Sequence, residues 1–304
     1  MNQTTDTPRI GFAGVGLMGQ GMAKNILEAG FPLTVLAHRK REPVEDLKGR
    51  GAEEASDAAD LCARSDILVL CLPGSPQVEA FVATFLAGDC EGKTIVDCST
   101  SNPVSTRALA ESCREKGATL IDAPLSRTPK EAWEGTLDVM AGASEADFQR
   151  VKPLLESFAG KLVRVGETGA GHTMKLLNNF ISLGYASIYA EAFAIGAKNG
   201  LDPATIDGVI SGGRMDCPFW QTFKLFAVNG DREAHKFALS NAHKDMRYVV
   251  SMATESGVAT RMAGPIKDGL ATAEAIGRGG DYLPFLTEIV AELNGVKPLK
   301  TTTG

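Results

Sequence analysis

Residues 14–19 read G-V-G-L-M-G and stand between a short apolar run and a helical pattern. A glycine-rich turn that joins a strand to a helix is the arrangement that binds dinucleotides. Gly14 would permit the tight turn, Gly16 would let a pyrophosphate approach the backbone, and Gly19 would let the helix pack on the strand. The alternative is a glycine turn without a ligand. The loop residues predicted to contact a cofactor are Gly14, Gly16, Leu17, Met18 and Gly19.

Short apolar runs alternate with helical stretches through the first half of the chain. The runs span residues 10–13, 33–37, 67–72, 94–98, 119–123, 137–141 and 162–165. Buried strands that alternate with helices are typical of a doubly wound, mainly parallel sheet. We therefore predict an α/β fold that begins with a Rossmann-type domain over residues 1–166, which would bind the cofactor.

The pattern changes after residue 166. Residues 171–199 contain no proline and predict one long helix, apolar nearly all round and therefore buried. Further helical patterns follow at residues 203–210, 219–228, 243–256, 264–276 and 283–293. We predict an all-α second domain over residues 167–304. A long buried helix and a large apolar helical domain also favour a homo-oligomer, a dimer or a tetramer.

Composition argues against several classes of protein. The formal net charge of −6 is unlike that of a nucleic-acid binder, which carries a basic excess. No apolar run reaches the roughly 18 residues of a membrane span. Residues 1–9 lack the apolar stretch of a secretory signal, and the six cysteines form no C-x-x-C pair. We expect a cytoplasmic protein with reduced thiols, and no metal site, membrane or nucleic-acid partner.

The end of the second predicted strand distinguishes the two nicotinamide cofactors. An NAD site normally places Asp or Glu there to bind the ribose 2′-hydroxyl. Here the strand is followed by His38, Arg39, Lys40 and Arg41, the last three of which are cationic at neutral pH, and the first acid is Glu42. Arg39 could bind a 2′-phosphate through its planar guanidinium. We predict NADP, contacted by this basic segment, with NAD use left open; the alternative is a solvated basic turn.

Lys175 is the candidate for acid–base chemistry. It lies one turn into the long helix, among Met174, Leu176 and Leu177. Desolvation by apolar neighbours lowers the pKa of a lysine, which suits a proton carrier near neutral pH. Asn179 lies four residues later on the same face, where it could bind the same substrate oxygen or orient the amine. The alternative is a lysine that extends to solvent from a buried helix.

The glycine loop, with Ala23 and Asn25 after it, and the segment around Lys175 and Asn179 together resemble the β-hydroxyacid dehydrogenase family. That family includes 3-hydroxyisobutyrate dehydrogenase and tartronate semialdehyde reductase, and the resemblance covers nearly the whole chain. It implies a Rossmann domain followed by a helical domain. It also implies the reversible NAD(P)-dependent oxidation of the alcohol of a small β-hydroxyacid, with Lys175 as general acid/base and Asn179 as its neighbour.

The same resemblance implies further contacts. The residues that would line the cofactor are Leu72, Pro73, Gln77, Thr100 and Lys244. Ser126, at the end of the D-A-P-L-S stretch of residues 122–126, would bind the substrate carboxylate.

The substrate loop departs from the family pattern. Members usually follow the loop serine with two glycines, whose amides bind carboxylate, whereas this chain has Arg127 and Thr128. A positive φ is costly for arginine, so we do not expect Arg127 simply to replace a glycine. Arg127 either supplies a charge for a second carboxylate, a sulfonate or a phosphate, or points to solvent in a reshaped loop. We take Arg127 and Thr128 as candidate substrate contacts.

Two other functions stay open. An imine reductase could use the same scaffold, but such enzymes usually replace the family lysine, and this chain retains Lys175. A non-catalytic NADP-binding module is the second, and the retention of both Lys175 and Asn179 argues against it.

Overall fold

The computed structural model describes residues 7–38 and 40–296. Contacts within the chain divide it into a first unit that ends at Lys175 and a second that begins at Leu176. The described part of the first unit contains nine strands, and the second unit is helical. The predicted order, an α/β Rossmann-type domain followed by helices, is therefore confirmed.

The strands of the first unit are β1 Ile10–Ala13, β2 Leu33–Leu36, β3 Glu53–Ala55, β4 Ile67–Leu70, β5 Thr94–Asp97, β6 Thr119–Asp122, β7 Leu125–Ser126, β8 Leu137–Gly142 and β9 Ala159–Gly166. Its helices are α1 Gly19–Glu28, α2 Glu42–Gly49, α3 Ala58–Arg64, α4 Ser75–Ala87, α5 Pro103–Glu115, α6 Pro129–Glu134 and α7 Glu145–Glu156. The nine strands form one sheet, and the helices cover it.

The sheet has the order β3-β2-β1-β4-β5-β6-β8-β7, and β9 pairs with β8. Strands β1 to β6 are parallel, whereas β8 is antiparallel to β6 and β7. The order 3-2-1-4-5-6 is that of dinucleotide-binding sheets, whose ligands lie outside the carboxyl ends of the strands. The site is therefore expected at the edge where β1, β4, β5 and β6 end.

Alternate residues of the central strands supply two different cores. In β4, Ile67 and Val69 pack in one buried cluster and Leu68 and Leu70 in another. This period of two is what a strand covered by helices on both faces requires.

Strands β3 and β7 have no counterpart in the sequence prediction. β3 contains two glutamates among its three residues and pairs only with β2 in the described sheet. β7 has two residues. An edge strand buries little side-chain surface, so neither segment carries the apolar run that identified the other strands.

The second unit is built from helices. A long helix, α8 Ala170–Lys198, begins in the first unit and continues into the second. The others are α9 Pro203–Ile210, α10 Pro218–Asn229, α11 Leu239–Glu255, α12 Ala263–Ala275 and α13 Leu286–Leu293, with a 3₁₀ turn at Leu283–Phe285. These match the predicted helices, although α11 begins four residues earlier than expected. Trp220, stacked on Phe193 with ring centroids 5.5 Å apart, belongs to their shared core.

Helix α8 is not buried all round, so that prediction is wrong. Leu176, Leu183 and Phe193 are fully buried, whereas Ile181, Ile188 and Ile195 are each more than half exposed. Both sets recur at helical spacing, so the helix has two apolar faces, and the described residues cover one of them. Helix α8 is also long and apolar enough to cross a membrane, judged by length and composition alone. The core helices of soluble proteins meet the same criterion.

Candidate active site

The glycine loop follows β1 and opens α1, as predicted. Gly14 has a φ of 104°, in the left-handed region that favours glycine. A Cβ at Gly14 would collide with the carbonyl oxygen of Cys71, and a Cβ at Gly19 would collide with the carbonyl oxygen of Gly14. The packing of the loop on itself and on the end of β4 therefore requires these two glycines.

Gly16 has a different reason to be glycine. A Cβ there would have no protein atom within 4 Å among the residues described, so packing does not require its absence. No described side chain caps α1 at Met18, and Leu17 is 85% exposed. The loop thus combines open space above the backbone with an uncapped helix N-terminus, whose partial positive charge favours an anion. These features fit the pyrophosphate of a dinucleotide.

The basic segment after β2 offers less charge than its sequence suggests. His38 and Lys40 are exposed, while Arg39 lies outside the described residues. Arg41 pairs with Glu54 at 2.6 Å, which raises the pKa of Arg41 and helps to lower the pKa of Glu54 to about 2. Because the charge of Arg41 is paired within the protein, it does not add to the cations available to a 2′-phosphate.

Four other predicted cofactor contacts lie beyond the carboxyl ends of β4 and β5. The Leu72 amide donates to the Ser99 hydroxyl at 2.9 Å, which joins the two loops. Pro73 and Gln77 are exposed, and Thr100 is half-buried. Because β1, β4 and β5 are parallel neighbours, these residues share one edge of the sheet with the glycine loop.

Arg127, at a position where the family pattern has glycine, lies in the left-handed backbone region that favours glycine. Its φ is 89°, so the expectation that arginine would not replace glycine there is wrong for the backbone. The side chain is half-exposed and its Nε lies 3.1 Å from Asp138 Oδ1, which raises the pKa of Arg127. Asp138 stands opposite Ser126 in the β7–β8 pairing, so the ion pair lies beside the predicted carboxylate site.

Thr128 begins α6. Its hydroxyl accepts the Lys130 amide at 3.3 Å, and Glu131 accepts the Thr128 amide at 3.0 Å. This reciprocal arrangement is a capping box, which satisfies amides that a helix start otherwise leaves unpaired. A structural reason therefore exists for threonine at this position, alongside its predicted contact with substrate.

A buried polar cluster lies where β5 and β6 end, and sequence reasoning missed it. Its members are Asp97, Thr106, Asp122 and His172, all nearly inaccessible to solvent. Burial raises the pKa of Asp122, while His172 and the amides that donate to Asp122 act in the opposite direction. The available signal was an aspartate closing each of two apolar strands, Thr94–Asp97 and Thr119–Asp122.

Lys175 is half-buried, beside the fully buried Leu176. Asn179 is buried and its amide donates to Asp245 Oδ2 at 2.7 Å. The other oxygen of Asp245 lies 3.2 Å from Lys244 Nζ, the predicted cofactor contact. Asp245, for which sequence reasoning predicted no role, thus connects Asn179 with Lys244.

Comparison with known families agrees with this architecture. The family described as the NAD binding domain of 6-phosphogluconate dehydrogenase matches residues 9–166. A second family, described as "NAD-binding of NADP-dependent 3-hydroxyisobutyrate dehydrogenase", matches residues 169–283. The two matches meet at the end of β9, close to the predicted domain boundary.

Two curated proteins and one solved structure are similar over long stretches. The 2-(hydroxymethyl)glutarate dehydrogenase of Eubacterium barkeri is 34% identical over 95% of this chain and 96% of its own. The 2-hydroxy-3-oxopropionate reductase of Escherichia coli is 35% identical over 74% of this chain and 75% of its own. The 3-hydroxyisobutyrate dehydrogenase of Mycobacterium tuberculosis, solved with L-serine, has the same fold, with a TM-score of 0.84, 24% identity, and coverage of 94% of this chain and 99% of that one.

Proposed function

The chain belongs to the β-hydroxyacid dehydrogenase family, and we propose that it interconverts the alcohol of a small β-hydroxyacid and the corresponding semialdehyde or keto acid, with NAD(P) as cofactor. The observation that carries this proposal is the position of Lys175. It lies one turn into a helix whose first turn is hydrogen-bonded to the end of β6, on the sheet edge that also carries the glycine loop. A proton carrier and a dinucleotide loop are the two parts that this reaction needs.

The residues that would hold the cofactor are those of the loop and of the neighbouring strand ends. Gly16 and the start of α1 would bind the pyrophosphate, and Leu72 and Thr100 would line the remainder. When bound, the nicotinamide supplies the acceptor or donor of the hydride, and the protein supplies placement and electrostatics.

Lys175 would take the proton of the substrate hydroxyl during oxidation and return it during reduction. Ser126 would hold the substrate carboxylate. A second anionic group on the substrate would have to compete with Asp138 for Arg127, so substrates with one and with two anionic groups should respond differently to loss of that arginine.

Replacement of Lys175 by methionine tests the assignment, because methionine keeps the apolar length and removes the amine. We expect kcat to fall by at least about a hundredfold while cofactor affinity, measured by fluorescence titration, stays within about twofold of the parent. Turnover near the parent rate would contradict the proposal.

A panel of cyclic imines, assayed beside the hydroxyacids, tests whether the enzyme is an imine reductase. Tight NADP binding without turnover of any compound would favour a non-catalytic module.

NADP is the proposed preferred cofactor. Exposed His38 and Lys40, with Arg39 between them in the sequence, support it, and the described end of β2 carries no acid for a ribose hydroxyl. Lys40→Ser should raise the KM for NADP several-fold and leave that for NAD unchanged. An equal change for both cofactors would argue against a 2′-phosphate site.

We also propose a cytoplasmic homo-oligomer, a dimer or a tetramer. All six cysteines are free thiols, as expected in a reducing compartment. The uncovered apolar face of α8 supports assembly with a second copy, since exposed apolar stripes mark interaction surfaces. Ile188→Glu should lower the molar mass measured by light scattering; an unchanged mass would place the contact elsewhere.

A further inference from the structure

The first turn of α8 is tied to the sheet by a carboxylate that is remote in sequence. Asp122, the last residue of β6, accepts the Gly169 amide at 2.6 Å through Oδ1 and the His172 amide at 2.7 Å through Oδ2. The first amides of a helix have no partner within it, and a negative charge there is favourable. Asp122 therefore fixes where α8 begins.

His172 adds side-chain contacts to this attachment. Its ring is fully buried, with Nε2 3.1 Å from the Ser99 carbonyl oxygen and Nδ1 2.8 Å from the Thr106 hydroxyl. A carbonyl only accepts hydrogen bonds, so Nε2 carries a proton. The ring nitrogens also lie 3.8 Å from Asp97 and from Asp122. The ring thus joins α8 to α5 and to the ends of β5 and β6.

The helix can approach this closely because of a glycine. A Cβ at Gly171 would collide with the Met140 carbonyl oxygen and lie 2.9 Å from the Asp122 carbonyl oxygen. The turn before His172 is therefore in direct contact with β8 and β6. Close-packed contacts of this kind have little freedom to adjust.

Lys175 follows His172 by three residues and lies on the next turn of the same helix. At 1.5 Å per residue, a shift or rotation at His172 moves the base of the Lys175 side chain by nearly the same amount. A displacement of about 1 Å is enough to cost about a hundredfold in rate when reacting groups must be aligned.

We infer that His172, bonded to Ser99 and Thr106 and held above Asp122, is a positioning residue that sets the location of Lys175. This inference rests on the proposed function, because it assigns to His172 an effect that acts only through the lysine. His172 itself needs no contact with substrate or cofactor.

A double-mutant cycle tests the inference. We expect His172→Ala to lower kcat by about tenfold to a hundredfold, with the KM for cofactor changed by less than about twofold. The residual rate of the Lys175→Met variant is measured by single turnover at high enzyme concentration. Adding His172→Ala to that variant should alter this rate by less than about twofold, because no amine is left to position. Losses of equal size in both backgrounds, or no loss in the parent background, would overturn the inference.

Controls separate positioning from folding. His235→Ala removes another histidine, one that is partly buried and packs edge-on against Phe219, and should leave kcat unchanged. If His172→Ala does not fold, Thr106→Val, which removes a single hydrogen bond to the ring, takes its place in the same cycle. Full activity of Lys175→Met would contradict the proposed function. Equal losses from His172→Ala in both backgrounds would contradict only the positioning role of His172, so the two failures can be told apart.

Discussion

Replacement of Arg127 by glycine, compared with replacement by alanine, tests whether the substrate loop holds a strained arginine. Arg127 is one of two non-glycine residues with a positive φ among those described, at 89°. Glycine takes this conformation without steric cost, whereas alanine keeps the same clash between its Cβ and the backbone as arginine. Both variants lose the ion pair with Asp138.

Three free-energy terms decide the outcome. A left-handed backbone costs a non-glycine residue about 1–2 kcal/mol, and a half-exposed ion pair contributes about 0–1 kcal/mol. Glycine also gains freedom in the unfolded chain, which costs the folded state about 0.5–1 kcal/mol. The terms nearly cancel for Arg127→Gly, so its free energy of unfolding should stay within about 1 kcal/mol of the parent. Arg127→Ala should be less stable than Arg127→Gly by about 0.5–1 kcal/mol, the reverse of the usual order.

Urea denaturation, monitored by circular dichroism, measures the difference between the two variants. The midpoint of the transition should be higher for Arg127→Gly than for Arg127→Ala, with equal slopes, since both unfold the same surface. Thr128→Ala is a matched comparison, because it removes the cap of α6 without touching φ and should cost about 1 kcal/mol. An alanine variant as stable as the glycine variant would refute the strain at position 127.

Four further substitutions, grouped in three tests, have distinct expected results. Gly16→Ala should weaken cofactor binding at least about tenfold in a fluorescence titration without lowering the melting temperature. Gly19→Ala should lower the melting temperature, because its Cβ collides with backbone. Equal melting temperatures for the two variants would contradict this difference. Burial holds the pKa of Asp122 above its usual 3.8, so folding takes up a proton at this carboxyl only at pH values between its unfolded and its folded pKa. The stability that this group contributes is lost as the pH rises through the raised pKa, above which Asp122 is a carboxylate. Asp122→Asn should make the urea midpoint less dependent on pH over that interval, and an unchanged pH profile would count against this expectation. Asp245→Ala leaves the buried Asn179 amide without its acceptor and should cost about 1–3 kcal/mol by chemical denaturation, so a loss below 0.5 kcal/mol would show that the bond is unimportant.

The sequence predicted those features that local pattern alone determines. The G-x-G-x-x-G turn and the apolar runs located the Rossmann strands, because each is a short segment with its own signal. Lys175 was placed correctly on the long helix, and its role remains a prediction. The Arg41–Glu54 ion pair was not predictable, since it joins residues 13 apart across two elements whose geometry the pattern does not specify.

The buried cluster shows the same limit more clearly. His172 and Asp122 are 50 residues apart, and nothing in either local sequence states that they meet. The two faces of α8 are a third case. The sequence predicted a helix that is apolar nearly all round and therefore buried. Which of its apolar faces is covered depends on how the other helices pack against it, which the local sequence does not specify.

The three loop glycines divide into two kinds when judged by what would occupy the place of a Cβ. A Cβ at Gly14 or Gly19 would meet backbone, so the strand–turn–helix needs both glycines in order to fold. A Cβ at Gly16 would meet no described atom within 4 Å, and we expect the pyrophosphate of the cofactor to be the reason for glycine there. The familiar signature is therefore a composite of a folding requirement and a ligand requirement. A relative that keeps the outer two glycines and replaces the middle one should still fold as a Rossmann domain but no longer bind the cofactor. Judging the outer and the middle glycine positions separately would identify such pseudoenzymes from sequence.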